Sequence, residues 1–356
     1  MTEPAELLRA TAHELGFDWF ALAPAEPLPI ERGRLEEWLA AGQHGAMEWL
    51  ATHVDRRTDP TEQVRGCRTV IIVGMNYLRP DGGAPASERP AGQVSRYART
   101  RDYHRVIEVK LEKLSRRVRE LFPGSAAYGS VDYGPVMERP WAARGGLGFI
   151  GKHTLLIHPE EGSFHFLGAV LTTANIPHER PAPLRAGCGD CRRCIDACPT
   201  QAITEPFRLD ASRCLSYLTI EAPEATPKEL WPHYGDALFG CDICQDVCPY
   251  NQKRARPVSE SPLGVALIGE YVPLVDLIRD PHGIIDGLGP SSSPLRRAGP
   301  WRLARNAAII ATQQGDGECH TALEALTARE DAPAWLRAVA GEAARQLGAR
   351  LSLTNR

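Results

Sequence analysis

The chain has 356 residues, 43% hydrophobic and 24% charged, which is enough apolar material for one large domain or two ordinary ones and excludes general disorder. No apolar stretch approaches the ~18 residues a membrane span needs, and the opening MTEPAELLRATAHELGFDWF patterns as an amphipathic helix rather than an export signal, so the expected compartment is the cytoplasm. With a net charge of -3, attraction to a nucleic acid has to come from a local basic patch.

Two helices are predicted near 3–15 and 33–51, joined by the proline-rich APAEPLPIER. RTVIIVGM at 68–75 is a short apolar run rich in β-branched residues, as a buried strand would be, and 79–92 is a loop by composition. From Tyr103 to Leu121 the residues Ile107, Leu111, Leu114, Val118 and Leu121 recur at helical spacing opposite a charged face. A strand near 126–131, a helix opened by Pro135, and a hairpin of strands 153–157 and 164–173 around EEGS complete an α+β region ending near 180. Residues 181–255 form a cysteine-rich module, and 256–356 a linker followed by three alanine-rich helical segments. Those segments fit either HEAT-like repeats or an ordinary helical cap.

Ten cysteines in a long chain expected in a reducing compartment point to metal ligation rather than disulfides. Cys188, Cys191, Cys194 and Cys198-Pro199 form C-x2-C-x2-C-x3-C-P, the bacterial ferredoxin pattern, in which the fourth thiolate reaches across to the other cluster. Cys241, Cys244 and Cys248-Pro249 repeat it without a leading cysteine, because Leu238 stands at that position, and Cys214 is the obvious replacement. The expected sets are Cys188, Cys191, Cys194 and Cys248 on one 4Fe-4S cluster, and Cys198, Cys214, Cys241 and Cys244 on the other. Paired zinc sites or buried free thiols are the competing readings. Cys67 and Cys319, with no cysteine nearby, are assigned no role.

Two other motifs lead nowhere. Gly146 to Gly151 matches G-x-G-x-x-G, but a helical pattern precedes it and a strand follows, the reverse of a dinucleotide-binding turn, so it reads as a tight turn. Asp102-Tyr103-His104 begins like a cobalt-ligating D-x-H-x-x-G, yet Ile107 occupies the glycine position.

YARTRDYH (97–104), VDYGPVMERPWAARGGLGFIGKHTLLI (131–157), CGDCRRCIDACPTQAI (188–203), RCLSYLTIE (213–221) and GCDICQDVCPYN (240–251) together resemble the epoxyqueuosine reductases. The resemblance implies a corrinoid-binding core over 1–180, similar in architecture to reductive dehalogenases, and a two-cluster ferredoxin-like module. It also implies reduction of the epoxide of epoxyqueuosine, at the wobble position of tRNA, to queuosine, with base-off cobalamin charged through two 4Fe-4S clusters. Cobalamin enters only through the resemblance. Asp132 matches the family's proton donor, for which burial against the corrin would have to raise its pKa. On the residues alone, a helix cap before Pro135 competes with that role. Arg57, Ser95, His153, Thr154, Ser216 and Asp242 fall in segments that line the family's cobalamin pocket, and Tyr103 and His104 could line the substrate cavity. Lys253, Arg254 and Arg256, with Arg296, Arg297, Arg302 and Arg305, are the densest late basic clusters and the candidate tRNA contacts. The chain departs from many relatives at Ala222-Pro223-Glu224, where they carry Lys-Gly. A low-potential donor such as ferredoxin or flavodoxin and a monomeric state are expected. The alternatives are a corrinoid reductase of a small molecule such as an organohalide, and a non-catalytic ferredoxin-type electron carrier.

Overall fold

The structure is a computed structural model and describes residues 3–79, 89–182, 184, 186–258, 263–289 and 293–354. Most of the loop expected at 79–92 lies outside the described residues, but its end does not. Ala91–Val94 is a strand, because Gly92 and Val94 face a packed core that composition did not reveal.

A four-stranded antiparallel sheet runs in the order Trp19–Pro24, Thr69–Asn76, His165–Thr172, Ala127–Ser130. Every residue of Thr69–Asn76 is buried, since the strand is central and both sheet faces are covered. The period of two then sorts its side chains. Ile71, Val73 and Met75 enter one core with helices Glu3–Glu14 and Tyr103–Leu121, while Val70 and Ile72 enter another with Trp141 of helix Glu138–Arg144. Helix Tyr103–Leu121 buries Ile107, Leu111, Leu114 and Val118, the stripe its sequence spells, and Asp102 caps it by accepting the His104 N–H.

Three expectations on this side are corrected. The second helix spans Pro29–Ala40 rather than 33–51, and turns and a short 3-10 segment follow it around Gly42 and Gly45. No helix opens at Pro135; helix Glu138–Arg144 starts three residues later, so Asp132 is not its cap. Leu156–Ile157 pairs with Phe149–Ile150, not with His165–Thr172, whose edges are taken by Thr69–Asn76 and Ala127–Ser130. The glycine-rich 146–151 segment therefore leads from a helix into a small hairpin.

A third core gathers helices Gly299–Gln314, Gly317–Thr327 and Ala334–Thr354 with Leu274–Arg279, the segment 215–239 and a small sheet in the order Ala237–Phe239, Ala91–Val94, Tyr271–Pro273. Arg305 and Asn306 are fully buried at its centre. They bond the carbonyls of Leu218, Thr219, Ala222, Glu224 and Leu238, closing backbone groups that irregular chain would leave unpaired. The cysteine-bearing turns, with short helices Arg193–Asp196 and Ile243–Asp246, pack on each other between these bodies.

Candidate active site

None of the ten cysteines is paired in a disulfide. Eight of them lie close enough to influence one another electrostatically. Cys194 feels Cys188, Cys191 and Cys248, and Cys248 feels Cys188 and Cys191. Cys241 feels Cys214 and Cys198, while Cys244 feels Cys241, Cys214 and also Cys194, which makes the two sets neighbours. Burial pushes the Cys241 thiol up to about 12 and Cys244 well above its ordinary value, so holding them as thiolates calls for strong local positive charge. Backbone amides help: those of Ser216 and Tyr217 point at Cys214, Ala202 N–H lies 3.2 Å from Cys198 Sγ, and Lys152 N–H 3.4 Å from Cys188 Sγ. Among the described residues no three such ligands converge on a point, as one zinc ion would require.

One of these sets faces a cavity of about 640 Å³. Cys198, Cys214, Cys241 and Cys244 line it, together with Asp132, Arg57, Ser95, Tyr103, His153, Thr154, Ser216 and Asp242. The other four cysteines do not. Stretches far apart in the sequence thus reach one space.

At the cysteine end, Asp242 is only 5% exposed. Ser95 Oγ donates to its Oδ1 at 2.6 Å and Arg96 N–H to its Oδ2 at 2.8 Å, which satisfies a buried carboxylate. Gly240, with φ +74, makes this approach possible, since a Cβ there would stand 2.6 Å from Ser95 Cβ. On the wall, His153 is buried, and its Nδ1 accepts the Leu155 N–H at 3.2 Å. Nε2 therefore carries the proton, and it has no partner among the described residues. Burial, then the charge of Arg139, pushes this imidazole down to about 4, so it is a neutral donor at neutral pH. Arg57 donates to the carbonyls of Thr52 and Trp49, and desolvation lowers its pKa.

At the opposite end, Asp132 follows the strand Ala127–Ser130 in a tight turn. Its φ is +50, and Tyr133 N–H donates to Val131 O at 2.6 Å. Tyr103 O–H donates to Asp132 Oδ2, and His104 Nε2 lies 3.3 Å from the same oxygen. The Asp132 side chain is 64% exposed and lines the cavity. Desolvation there pushes its pKa up, yet the hydrogen bonds from His104 and Tyr103 outweigh it, and the net shift is downward. Burial against a corrin, the condition for the raised value expected of Asp132, would act against these two hydrogen bonds. His104, despite burial, is pushed up to about 9 by its bonds to Asp102 and Asp132.

The basic clusters fare unevenly. Arg305 is 0% exposed and cannot touch a ligand from outside. Periodicity could not distinguish it from Arg302, which donates to the Ile220 carbonyl and is partly buried. Arg296 donates to the carbonyls of Ile285 and Gly289. Arg297 grips both oxygens of Glu221, stacks over Trp49, and lies near enough to Asp132 and Tyr103 to feel their charge. Lys253, Arg254 and Arg256 are exposed, with Arg254 paired to Glu160. Sequence reading missed Glu138, Arg139, Tyr97 and Gln245 on the cavity wall, and no spacing marks them.

Two family models match: "4Fe-4S double cluster binding domain" over residues 187–251 and "Epoxyqueuosine reductase QueG, DUF1730" over 57–132. Curated epoxyqueuosine reductases are similar along nearly the whole chain. That of Xanthomonas campestris pv. campestris is 38% identical over 98% of this chain and 97% of its own, and that of Pseudomonas aeruginosa 40% over 93% and 91%. Among solved structures, an epoxyqueuosine reductase with an epoxyqueuosine-modified tRNA-Tyr stem loop superposes with TM-score 0.87 at 27% identity, covering 96% of this chain and 90% of that one. The Bacillus subtilis enzyme, described with its catalytic aspartate loop swung out of the active site, gives TM-score 0.85 at 27% identity over the same shares.

Proposed function

The chain belongs to the epoxyqueuosine reductase family, and on that premise we propose that the cavity seats a base-off cobalamin between Asp132 and the inner of two 4Fe-4S clusters. The enzyme reduces epoxyqueuosine to queuosine in tRNA. The observation that carries the proposal is that Asp132 and the four thiols Cys198, Cys214, Cys241 and Cys244 line one cavity. A carrier of electrons has no use for such a cavity beside its inner cluster.

The residues fit the groups proposed. Eight thiols in two adjoining sets suit two cubanes, and the outer set, Cys188, Cys191, Cys194 and Cys248, is the entry for electrons from a donor such as ferredoxin or flavodoxin. His153 Nε2–H is a buried donor awaiting an acceptor, and Arg57, Ser95, Thr154, Ser216 and Asp242 add polar groups for the amides of a corrin. Bound there, cobalamin supplies low-valent cobalt as the immediate reductant.

Reducing an epoxide to an alkene takes up two electrons and two protons: both C–O bonds break, a C=C bond forms, and the oxygen leaves as water. Asp132 is placed to hand protons to that oxygen. Its Oδ2 receives hydrogen bonds from Tyr103 and from the His104 imidazolium, so a proton passed from Nε2 to Oδ2 turns the carboxylate into the acid while Asp102 steadies the ring. For the tRNA, the exposed Lys253, Arg254, Arg256, Arg296 and Arg297 remain phosphate candidates, and the wobble nucleoside has to be splayed into the cavity. The likeness to a structure holding a tRNA stem loop supports this reading.

The test is an anaerobic, reconstituted preparation assayed together for iron, cobalamin uptake and turnover of an epoxyqueuosine-bearing stem loop. Conversion to queuosine that needs both cobalamin and iron is expected. Conversion without cobalamin, or cobalamin binding untouched by His153→Phe with Ser216→Phe, would overturn the proposed occupant.

A further inference from the structure

Glu138 lines the cavity, yet the proton path above does not use it. It opens helix Glu138–Arg144, so its backbone is fixed by the helix and by Trp141 and Ala142 buried beneath. From there its Oε1 accepts the backbone N–H of Asp132 at 2.9 Å. That amide belongs to the tight turn in which Asp132 has φ +50, a left-handed conformation uncommon outside glycine, though Asp adopts it more readily than most residues. The turn is also tight within itself, since a Cβ on Gly134 would meet Ser130 Oγ at 2.0 Å. Asp132 is consequently gripped at two points: its carboxylate by Tyr103 and His104 on one helix, its N–H by Glu138 on another. Relaxing to the ordinary negative φ would turn the N–H off Glu138 and swing the carboxylate off Tyr103 and His104.

We propose that Glu138 is the positioning residue that seats the Asp132 turn in the cavity, by accepting its N–H. The inference rests on the reading of Asp132 as the proton donor and deepens it. Burial, then the charge of Asp132, pushes Glu138 up to about 8, but either form of the carboxyl keeps an oxygen that can accept. Glutamine, with its amide oxygen in the same place, should therefore do the same work.

The experiment compares Glu138→Ala and Glu138→Gln in the full chain loaded with iron and cobalamin, with iron content and cobalamin uptake checked first. Glu138→Ala should slow single turnover of the epoxyqueuosine stem loop about tenfold with KM unchanged, the size of one lost hydrogen bond, and Glu138→Gln should recover it to within about threefold. In parallel, amide exchange over 131–134 should quicken in the alanine variant and stay slow in the glutamine variant, a readout that needs no substrate. An alanine variant with wild-type rate and wild-type exchange overturns the proposal. So does a normally loaded glutamine variant as slow as alanine, because the carboxyl proton rather than the acceptor would then matter. Faster exchange with an unchanged rate upholds the seating and overturns instead the role of Asp132.

Discussion

His104 Nε2 stands 3.3 Å from Asp132 Oδ2, while its Nδ1 lies 2.7 Å from Asp102 Oδ1. One imidazole thus bridges two carboxylates at the start of helix Tyr103–Leu121, and the pairing keeps it charged. Because the folded value is raised to about 9, the ring is an imidazolium at neutral pH and loses its proton as pH climbs through that value. The single-turnover rate should therefore fall on the alkaline side near pH 9. His104→Gln should lower the plateau ~10- to 100-fold and abolish that limb. A limb unmoved by the substitution would remove His104 from the proton path.

Asp132→Asn keeps the shape of the side chain but cannot relay a proton. Turnover should drop by roughly 100-fold or more, while stem-loop affinity, measured by fluorescence anisotropy, changes less than about twofold. An unchanged rate would mean that the acid lies elsewhere on the wall.

Cys214 sits outside both compact cysteine motifs, which makes it the sharpest check on the cluster assignment. Cys214→Ala should cost about half of the bound iron and leave the outer cluster visible by EPR after reduction. Cys67→Ala should leave iron content at the wild-type level, since that thiol is buried in the sheet core with its pKa raised to about 11 by desolvation. Full iron in the Cys214 variant would break the assignment.

Arg305 and the exposed basic residues should separate cleanly. Arg305→Met strips donors from the buried carbonyls of Leu218, Ala222 and Glu224, at a cost of about 2–4 kcal/mol in stability, read as a lower thermal midpoint, with no change in the salt dependence of stem-loop binding. Lys253→Ala or Arg256→Ala should leave the midpoint in place and, where the side chain meets a phosphate, reduce the log–log salt slope by about 0.7 to 1. A salt slope altered by Arg305→Met alone would restore that residue to the binding surface.

Some of this molecule is legible from local chemistry. Thr69–Asn76 reads as a buried strand because a run of β-branched residues has few other uses, and Tyr103–Leu121 as a helix because its apolar stripe has the right period. Asp132 is legible only by resemblance, and its helix-cap reading fails because the chain turns through positive φ before the helix starts. Glu138 is not legible: one carboxylate in MERPW carries no periodic or spacing signal, and its significance is a single contact with a backbone amide. Arg305 misleads for a related reason, since an arginine amid helical alanines reads as surface until irregular carbonyls from 218–224 are folded against it.

The sequence by itself determined the ligand chemistry, for thiolate spacing within a turn is a matter of a few bonds and survives any rearrangement of the rest. It also determined which strand and helix carry the sheet core. Only the tertiary structure decided which cysteine set faces the cavity, which groups meet the Asp132 carboxylate, and which cations stay at the surface. Those outcomes depend on desolvation and on hydrogen bonds between segments far apart in the chain, and such terms have no value until the segments meet.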